Sequence, residues 1–583
     1  MNKNYFLPFF ALAIFTACQS KKVENQPPNV IVIITDDQGY GDLGLHNNPN
    51  LKTPAIDDFA RQSIQFSNFH VSPVCAPTRS SLMTGRYSLR TGVRDTYNGG
   101  AIMASSEVSI AEMLKQKNYK TGIFGKWHLG DNYPSRPSDQ GFDESLIHLA
   151  GGIGQVGDFT NYFKMETSYF DPVLWHNNEQ KPYKGYCSDI FTDNAIRFIE
   201  ENKDQPFFCY LSFNAPHTPL QVPDKYYQMY KDTDPTAGID PALLPVAPMS
   251  DKDIEDARKV YAMVTNIDDN LKQLFQKIED LGIKDDTIVI FMTDNGPQQV
   301  RYVGGMKGRK SSVYRGGIRV PFFLSYPSKF EGGGEINAMS AHIDLLPTLS
   351  ELCAAPLPTD RKIDGRSLVP ALEGQTLPQR SFFSYWTRKL PELYNNIALQ
   401  QGDYKLVGKT DFDAAIEAFE LYNIKVDPFE TKNLVNQNLE KAQSLKAEMD
   451  VMFTSLTQSP NLIHPPRIAV GTPHEQPVYL NRNDAGGQRG VWNQEELYSY
   501  WKVDMQAGTY RIKFKFIKPL PLGGEMVLET ASGILKKKSN AEPTDNLVWE
   551  DVALSEGKFD FTPFYRLGRK NYFPLWVEID KIQ

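Results

Sequence analysis

The stretch NVIVIITDDQGY, residues 29–40, decides the fold class because an unbroken apolar run ends directly in two aspartates. Residues 30–35 are apolar or β-branched throughout, which is typical of a parallel strand covered on both faces. Similar apolar runs lie at residues 207–213 and 287–293. Segments with helical spacing lie between the runs, at residues 190–202 and 251–281. This alternation of strand and helix predicts an α/β sandwich with a mostly parallel sheet.

Polar residues follow three of the predicted strands at the point where each strand ends. Asp36 and Asp37 come after the first run, His217 after the second, and Asp294 and Asn295 after the third. Because sites in open α/β sheets form at the carboxyl ends of strands, we expect these side chains to meet at one edge. The Asp and Asn side chains offer only oxygen ligands, and Ca²⁺ accepts irregular oxygen geometry better than Mg²⁺ does. The sequence therefore predicts a calcium site.

Length and composition indicate a globular protein of two or three domains, since 583 residues exceed what one ordinary core accommodates. Hydrophobic residues make up 41% and charged residues 23%, which is typical of soluble proteins. The net charge of −8 disfavours nucleic acid as a partner, because no basic excess exists to neutralise phosphates. An anionic substrate would need a local cationic pocket.

Composition changes along the chain predict the domain boundaries. We assign a catalytic domain to residues 29–374, a small subdomain of short strands and one helix to 375–460, and an accessory β-sandwich to 467–583. Aromatic residues in the accessory segment either form its core, the interpretation that we favour, or bind sugar. A disulfide is possible among the remaining cysteines, Cys187, Cys209 and Cys353, but their spacing does not establish one. Cys209 lies in an apolar run and is expected to be a buried thiol.

The N-terminus is predicted to be a targeting segment. Lys3 precedes an apolar stretch over residues 5–16 that is too short to span a bilayer. Ala17-Cys18 resembles the end of a bacterial lipoprotein signal, with residues 1–18 as signal, Cys18 as lipid anchor and residues 19–28 as tether. A plain secretory peptide is the alternative. The protein is accordingly expected to be exported, as an outer-membrane lipoprotein or a periplasmic or cell-surface protein.

Five strings, in this order, resemble the signature of the type I sulfatases of the alkaline-phosphatase-like superfamily. They are NVIVIITDDQGY (29–40), CAPTRSSLMTGR (75–86), GKWHLG (125–130), APHTPL (215–220), and TDNG (293–296) followed by KSSVYRGGIRVP (310–321). The resemblance implies an alkaline-phosphatase-like sandwich with a large mixed, mostly parallel sheet and a small C-terminal antiparallel-sheet subdomain. The accessory β-sandwich lies beyond it.

The resemblance also implies a cofactor. A formylglycine-generating enzyme reads Cys-x-Pro-x-Arg in this family and oxidises the cysteine, here Cys75, to formylglycine. Ca²⁺ is then bound by the residues that match the family's ligands, namely Asp36, Asp37, the oxidised Cys75, Asp294 and Asn295.

Catalytic roles are implied in the same way. The hydrated aldehyde at position 75 is the nucleophile and Arg79, expected in the first turn of a helix near residues 78–84, holds its oxygens. Lys126 and Lys310 bind sulfate, with Lys307 the alternative to Lys310. His128 acts on the formylglycine hydroxyl and His217 protonates the leaving alcohol. Lys126 and His128 are two apart in a segment predicted to be extended, so both are expected to face one pocket while Trp127 packs inward. Arg315 stands where the family commonly has a glutamate. Its side chain is therefore expected either to pack locally or to contact the substrate.

The sequence thus predicts a sulfatase that acts on a sulfated carbohydrate, with an algal polysaccharide suggested by analogy. One alternative is a phosphodiesterase or phosphonate monoester hydrolase of the same superfamily. The other is a non-catalytic glycan-binding relative, which would be marked by loss of the ligands quoted above.

Overall fold

The structure is a computed structural model, and it describes residues 27–244, 248–388, 390–487, 494–538 and 542–583. The predicted signal and the Cys18 anchor, together with most of the tether, lie outside the described residues. Within these ranges, no helix combines the length and the apolar character that a bilayer crossing requires.

Residues 29–374, which we call the catalytic unit after the predicted domain, are built on a large mixed sheet. The strands of this unit are β1 (Asn29–Thr35), β2 (Ile64–Phe66), β3 (Phe69–His70), β4 (Lys120–Lys126), β5 (Glu144–His148), β6 (Val173–His176), β7 (Glu179–Pro182), β8 (Phe207–Ser212), β9 (Thr287–Thr293), β10 (Phe322–Ser325), β11 (Glu335–Ile336) and β12 (Ser340–Ala341). Strands β3 and β12 pair with each other in a separate two-stranded sheet, and the others form the large sheet. Among the described residues, the sheet has the order β11-β2-β10-β9-β1-β8-β4-β5-β6-β7, and the central strands β9, β1, β8, β4 and β5 are parallel. The α/β prediction is confirmed.

Helices cover both faces of this sheet. They are α1 (Pro54–Gln62), α2 (Cys75–Thr84), α3 (Ile110–Lys115), α4 (Cys187–Asn202), α5 (Asp224–Tyr227), α6 (Asp251–Asp280), α7 (Arg315–Ile318), α8 (Leu345–Leu352) and α9 (Val369–Leu372). On β1, Val30, Val32 and Ile34 enter the core that contains α8, whereas Ile31 and Ile33 enter the core that contains α4 and α6. Burial on both faces explains why this strand is an unbroken apolar run rather than an alternating one.

A small antiparallel sheet follows the catalytic unit. It comprises β13 (Ser381–Tyr385), β14 (Asn395–Gln401), β15 (Tyr404–Lys409) and β16 (Glu420–Asn423), and the helices α10 (Leu439–Thr457) and α11 (Pro460–Ile463) come after it. Leu445 and Met449 of α10 pack into the same hydrophobic cluster as Ile397 and Leu399 of β14. The helix α10 therefore buries the face that carries Leu445 and Met449, and it packs that face against the sheet.

The C-terminal segment forms two sheets that share one hydrophobic core. The strands are β17 (Ile468–Val470), β18 (Val478–Asn481), β19 (Gly486–Gly487), β20 (Ser499–Met505), β21 (Gly508–Lys515), β22 (Glu525–Thr530), β23 (Gly533–Lys538), β24 (Asn546–Leu554), β25 (Gly557–Leu567), β26 (Lys570–Tyr572) and β27 (Trp576–Lys581). We call this segment the C-terminal β-domain. Trp501 and Phe573 stack within its core at 4.6 Å, so these two aromatic residues are structural, as the sequence indicated.

Two local predictions were wrong. Helix α2 begins at Cys75 rather than near residue 78, because Pro77 is tolerated in a first turn, where its missing N–H needs no partner. His128 is not extended, since β4 ends at Lys126 and His128 has a φ of 60°. Among the described cysteines, Cys75, Cys187, Cys209 and Cys353 are buried free thiols.

Candidate active site

The carboxyl ends of three neighbouring strands bring the predicted polar groups together. Thr35 of β1 is in register with Thr293 of β9, so Asp36 and Asp294 follow at the same level of the sheet. Strand β8 pairs with the other side of β1 and leads to His217. Asp36, Asp37, Asp294 and Asn295 are fully buried.

The acidic cluster is tied together through both backbone and side chains. The Asp37 amide donates to Asp294 Oδ1 at 3.1 Å, and Asn295 Nδ2 donates to Asp37 Oδ1 at 2.8 Å. Ligand atoms of Asp36, Cys75 and Asp294 all lie within 4.8 Å of one another. Burial and the nearby Asp36 charge raise the pKa of Asp294 to about 7, which shows how unfavourable these facing carboxylates are without a further cation.

The donor set fits a hard divalent cation. Asp36 Oδ1 and Asn295 Oδ1 are buried and accept no hydrogen bond from the described residues. Buried oxygens without partners are costly, and a cation would satisfy both at once. With all three carboxyl groups ionised, Asp36, Asp37 and Asp294 carry three negative charges, which Arg79, Lys126 and Lys310 match with three positive ones. Adding a divalent cation would leave the site with a net positive charge, as an anionic substrate requires.

Arg79 lies beneath the acidic cluster. Its Nε and Nη2 donate to Asp294 Oδ2 at 3.1 and 2.8 Å, while Nη1 donates to the Lys126 carbonyl and to Ser212 Oγ. This rigid fork orients a carboxylate of the cluster. The structure therefore places Arg79 against Asp294, whereas the family resemblance assigned it to the oxygens of residue 75.

Cys75 is the first residue of α2 and lines the cavity above the acidic cluster. Burial raises the pKa of its thiol, although Lys126 and Lys310 oppose the shift. A structural thiol is what such an environment favours. The Sγ atom stands in for the oxygen that oxidation of the side chain would introduce.

His128 faces residue 75 with a defined ring nitrogen. Nδ1 lies 3.5 Å from Cys75 Sγ, and Nε2 lies 2.7 Å from the Thr96 carbonyl oxygen. A carbonyl only accepts, so the neutral ring carries its proton on Nε2 and presents a lone pair on Nδ1 to residue 75. Burial and the Lys126 charge hold the pKa of His128 well below its ordinary value, which keeps this form.

The strand that leads to His128 needs a glycine where it passes β8. Gly125 has a φ of 117°, and a Cβ at this position would lie 1.8 Å from the Ser212 carbonyl oxygen. Only glycine allows β4 to approach β8 this closely. Trp127 is buried and donates from Nε1 to the Ser135 carbonyl, so it packs inward as predicted.

The two predicted lysines contact the acidic cluster. Lys126 Nζ donates to Asp36 Oδ2 at 2.5 Å, and Lys310 Nζ lies 2.6 Å from Asp37 Oδ1. Lys310 also lines the cavity, whereas Lys126 is fully buried behind it. Lys307 points elsewhere, since its Nζ bonds Glu420 and Tyr422. The choice of Lys310 over Lys307 agrees with this placement.

His217 lies on the other side of the cavity. Its Nδ1 is 2.7 Å from the Thr218 carbonyl oxygen, and Nε2 is 3.7 Å from Asp37 Oδ2. The contact with the carbonyl places the proton of the neutral ring on Nδ1. Burial and the Lys310 charge lower the pKa of His217 to about 3.

Sequence reasoning missed several residues of the active-site cavity, whose volume is about 860 Å³. Those adjacent to predicted residues could have been found from the motifs, namely Thr218, Arg309 and Ser311. Gln298 follows the TDNG motif closely, whereas the others come from segments remote from the motifs, namely Thr96, Tyr97, Gly151, Gln155, Arg388 and Gln494. No motif marks the remote group, because loop packing alone brings it to the cavity.

Arg315 is not a substrate contact. It is 5% exposed and lies outside the cavity lining, with its amide donating to Glu430 Oε2 at 2.7 Å. Burial and the neighbouring Arg319 charge lower the pKa of Arg315 to about 10. Of the two readings left open by the sequence, the structure supports packing.

Comparison with known proteins follows the same division of the chain. Residues 28–355 match the family model described as Sulfatase, and residues 309–459 match one described as N-sulphoglucosamine sulphohydrolase, C-terminal. Neither match includes residues 460–583. The catalytic unit and the small antiparallel sheet therefore lie within the parts of the chain that these two family models match.

Individual relatives are similar over most of the chain. An arylsulfatase of Hemicentrotus pulcherrimus is 30% identical over 65% of this chain and 67% of its own length. Arylsulfatase A of Homo sapiens is 28% identical over 74% of this chain and 89% of its own. Ps i-CgsB, solved in complex with k-i-k-neocarrahexaose, superposes with a TM-score of 0.64 at 26% identity, covering 75% of this chain and 94% of that one.

Proposed function

This chain belongs to the sulfatase family and is a sulfuric ester hydrolase, and we propose that it acts on a sulfated polysaccharide or oligosaccharide through formylglycine at position 75 and bound Ca²⁺. One observation carries the proposal. Cys75 lies at the start of α2, within reach of a histidine lone pair, directly above a buried all-oxygen cluster with two unpartnered oxygens.

The residues would divide the work as follows. Asp36, Asp37, Asp294 and Asn295 would hold the cation, and His128 Nδ1 would take the proton from residue 75. When present, the cation polarises sulfate oxygens and the hydrated aldehyde supplies a nucleophilic hydroxyl. Lys310 lines the cavity and would bind a sulfate oxygen, which concentrates positive charge where negative charge develops.

His217 would serve the leaving oxygen. It lines the cavity, and Nε2, the nitrogen that does not contact the Thr218 carbonyl and lies 3.7 Å from Asp37 Oδ2, can carry a proton to an alcohol. The neutral state of the ring reflects burial near Lys310. An anionic sulfate bound between them would raise the pKa of His217 and favour the protonated form.

A carbohydrate substrate is supported by the size and lining of the cavity. Its volume of about 860 Å³ falls within the range of about 300–1,000 Å³ of ligand sites, and Arg309, Lys310 and Arg388 contribute positive charge. Ps i-CgsB, which shares the fold at 26% identity, binds a neocarrahexaose. Export as a lipoprotein anchored at Cys18 and maturation by a formylglycine-generating enzyme complete the proposal. A phosphodiesterase is not favoured, because the curated relatives quoted above are sulfatases.

Substitution of the cysteine tests the proposal. The protein is produced together with a formylglycine-generating enzyme, and a hydrazide probe then detects the aldehyde on the peptide that contains residue 75. Sulfate release is assayed on p-nitrophenyl sulfate and on sulfated carrageenan, heparin and chondroitin oligosaccharides. We expect Cys75→Ala and Cys75→Ser to lower kcat at least about 1,000-fold, as loss of a nucleophile does.

Cys187→Ala is the matched control, because Cys187 is an equally buried free thiol outside the cavity lining. It should retain both activity and the aldehyde signal. Cys75→Ser lacks the second hydroxyl of a hydrated aldehyde, so steady turnover by this variant would contradict the proposed nucleophile. Absence of sulfate release from every substrate would refute the proposed carbohydrate specificity.

A further inference from the structure

We propose that a second cavity, between the catalytic unit and the C-terminal β-domain, binds another acidic sugar unit of the same substrate chain; this inference rests on the proposed function. The cavity has a volume of about 440 Å³ and is lined from both sides, by Arg94 and Tyr97 of the catalytic unit and by Tyr500 and Lys502 of β20. Its volume falls within the range of about 300–1,000 Å³ of small-molecule sites.

The second cavity adjoins the active-site cavity. Tyr97 and Arg388 line both of them. The wall between them includes Thr96, whose carbonyl oxygen contacts the catalytic His128 on one side and whose Oγ1 accepts from Arg388 Nη1 at 2.9 Å on the other. A sugar chain with one sulfate at residue 75 would therefore extend past Tyr97 and Arg388 into the second cavity.

Charge in the second cavity favours an anion. Arg94, Arg388 and Lys502 contribute three positive charges to the lining, against the single carboxylate of Asp484. Arg388 is paired with the buried Asp95 at 3.2 Å, and Lys502 with Asp560 at 3.4 Å. Arg94 forms no ion pair with any described residue, and its Nη2 donates to the Asn98 carbonyl. The neighbouring Asp95 acts on Arg94 only through space and is already paired with Arg388, so the half-buried Arg94 guanidinium keeps donors for a sulfate or carboxylate group.

Aromatic rings stand beside these cations. The Arg388 guanidinium lies 4.8 Å from the centroid of Tyr97, and Lys502 Nζ lies 5.3 Å from that of Tyr500. A sugar ring that carries an acidic substituent presents a flat apolar face next to a negative charge. Paired rings and cations complement both features, whereas a purely cationic surface would complement only one.

The C-terminal β-domain is held firmly against this cavity. The Gly99 amide donates to the Asn483 carbonyl, and Asn481 Nδ2 donates to Asp131 Oδ2 at 2.8 Å. Phe159 of the catalytic unit stacks on Trp576 of β27 at 4.9 Å. The domain thus completes a binding surface that the catalytic unit has only in part, and its contribution is to recognise the length of the substrate.

Kinetics on substrates of two lengths test this inference. Wild type, Arg94→Ala, Tyr500→Ala and Lys502→Glu are compared on a sulfated disaccharide and a sulfated hexasaccharide of the polymer that wild type desulfates fastest. We expect each variant to lower kcat/KM on the hexasaccharide at least about tenfold, mainly by raising KM. On the disaccharide, kcat/KM should change less than about twofold. Lys513→Ala, on β21 and outside the cavity, is the control.

The outcomes separate the two proposals. If wild type releases no sulfate from any oligosaccharide, the proposed function fails. If wild type is active but the variants lose activity equally on both lengths, or on neither, the second cavity does not bind substrate. Lys502→Glu keeps the test decisive should Arg94→Ala fail to fold, because the Lys502 side chain is 34% exposed and its replacement removes little packing.

Discussion

The side-chain oxygen of Asn295 is buried beside three carboxylates and, among the described residues, receives no hydrogen bond. If this oxygen ligates calcium, calcium should stabilise the wild-type protein by about 2.7 kcal/mol at a concentration one hundred times its Kd. Asn295→Ala should lose at least half of that gain. Calorimetric unfolding with and without Ca²⁺, after removal of metal by EDTA, measures both values.

Asn270→Ala is the control for this measurement. Asn270 is also buried and also donates to a carboxylate, Asp189, at 2.7 Å, but it lies on α6 away from the acidic cluster. Its loss should lower the Tm and leave the calcium-dependent gain intact. An unchanged calcium response in Asn295→Ala would remove Asn295 from the ligand set.

How much of the site the sequence could predict depends on how local each placement is. Asp36 and Asp294 were predictable because a strand end determines where the next residue lies. The partner of Arg79 was not, since Asp294 is 215 positions away and only packing brings the two together. The turn at His128 was missed because a spacing of two residues says nothing about where a strand stops.

At the scale of elements, the small antiparallel sheet holds the loop that carries Lys310. Lys405 Nζ of β15 donates to the Val313 carbonyl at 2.7 Å and to Glu430 Oε1 at 2.7 Å. Asn396 of β14 donates to the Ser311 carbonyl at 3.0 Å. These contacts make the sheet part of the active-site support, which its position after the catalytic unit in sequence does not reveal.

Lys405→Met tests this support. It should destabilise the protein by about 3–5 kcal/mol, because Glu430 would be left as a buried, unpaired charge. It should also lower kcat, since the Lys310 loop would lose an anchor. Lys409→Met, at the exposed end of the same strand, should change neither quantity by much. Thermal unfolding and steady-state kinetics of the two variants decide between a supporting sheet and one that only packs.

At the scale of the whole molecule, carboxyl groups are buried where the C-terminal β-domain meets the catalytic unit. Glu475 accepts from Asn132 Nδ2 and from the Tyr133 amide, and burial raises its pKa. Asp131 and Asp484 lie close enough to influence each other. Burial and the Asp484 charge raise the pKa of Asp131 well above its ordinary value, and burial raises the pKa of Asp484 to about 6.

These raised pKa values predict that domain docking weakens as the pH rises. The folded protein binds protons at Asp484 more tightly than the unfolded chain, whose pKa is near 3.8. The resulting stability is complete below about pH 4 and is lost as the pH rises through about 6. Asp484→Asn keeps the shape and removes the charge, so relative to wild type it should gain about 1.4 kcal/mol between pH 5 and pH 8.

Calorimetric unfolding of wild type and Asp484→Asn at pH 5 and pH 8 measures this difference. Asp504→Asn, an exposed substitution on β20 of the same domain, serves as the control and should behave alike at both pH values. A gain for Asp484→Asn that is equal at the two pH values would mean that the carboxyl is not titrating at the interface. If Asp484→Asn were less stable than wild type at pH 8, the ionised Asp484 would stabilise docking. A buried carboxylate stabilises a protein more than a neutral amide only when a nearby positive charge compensates it.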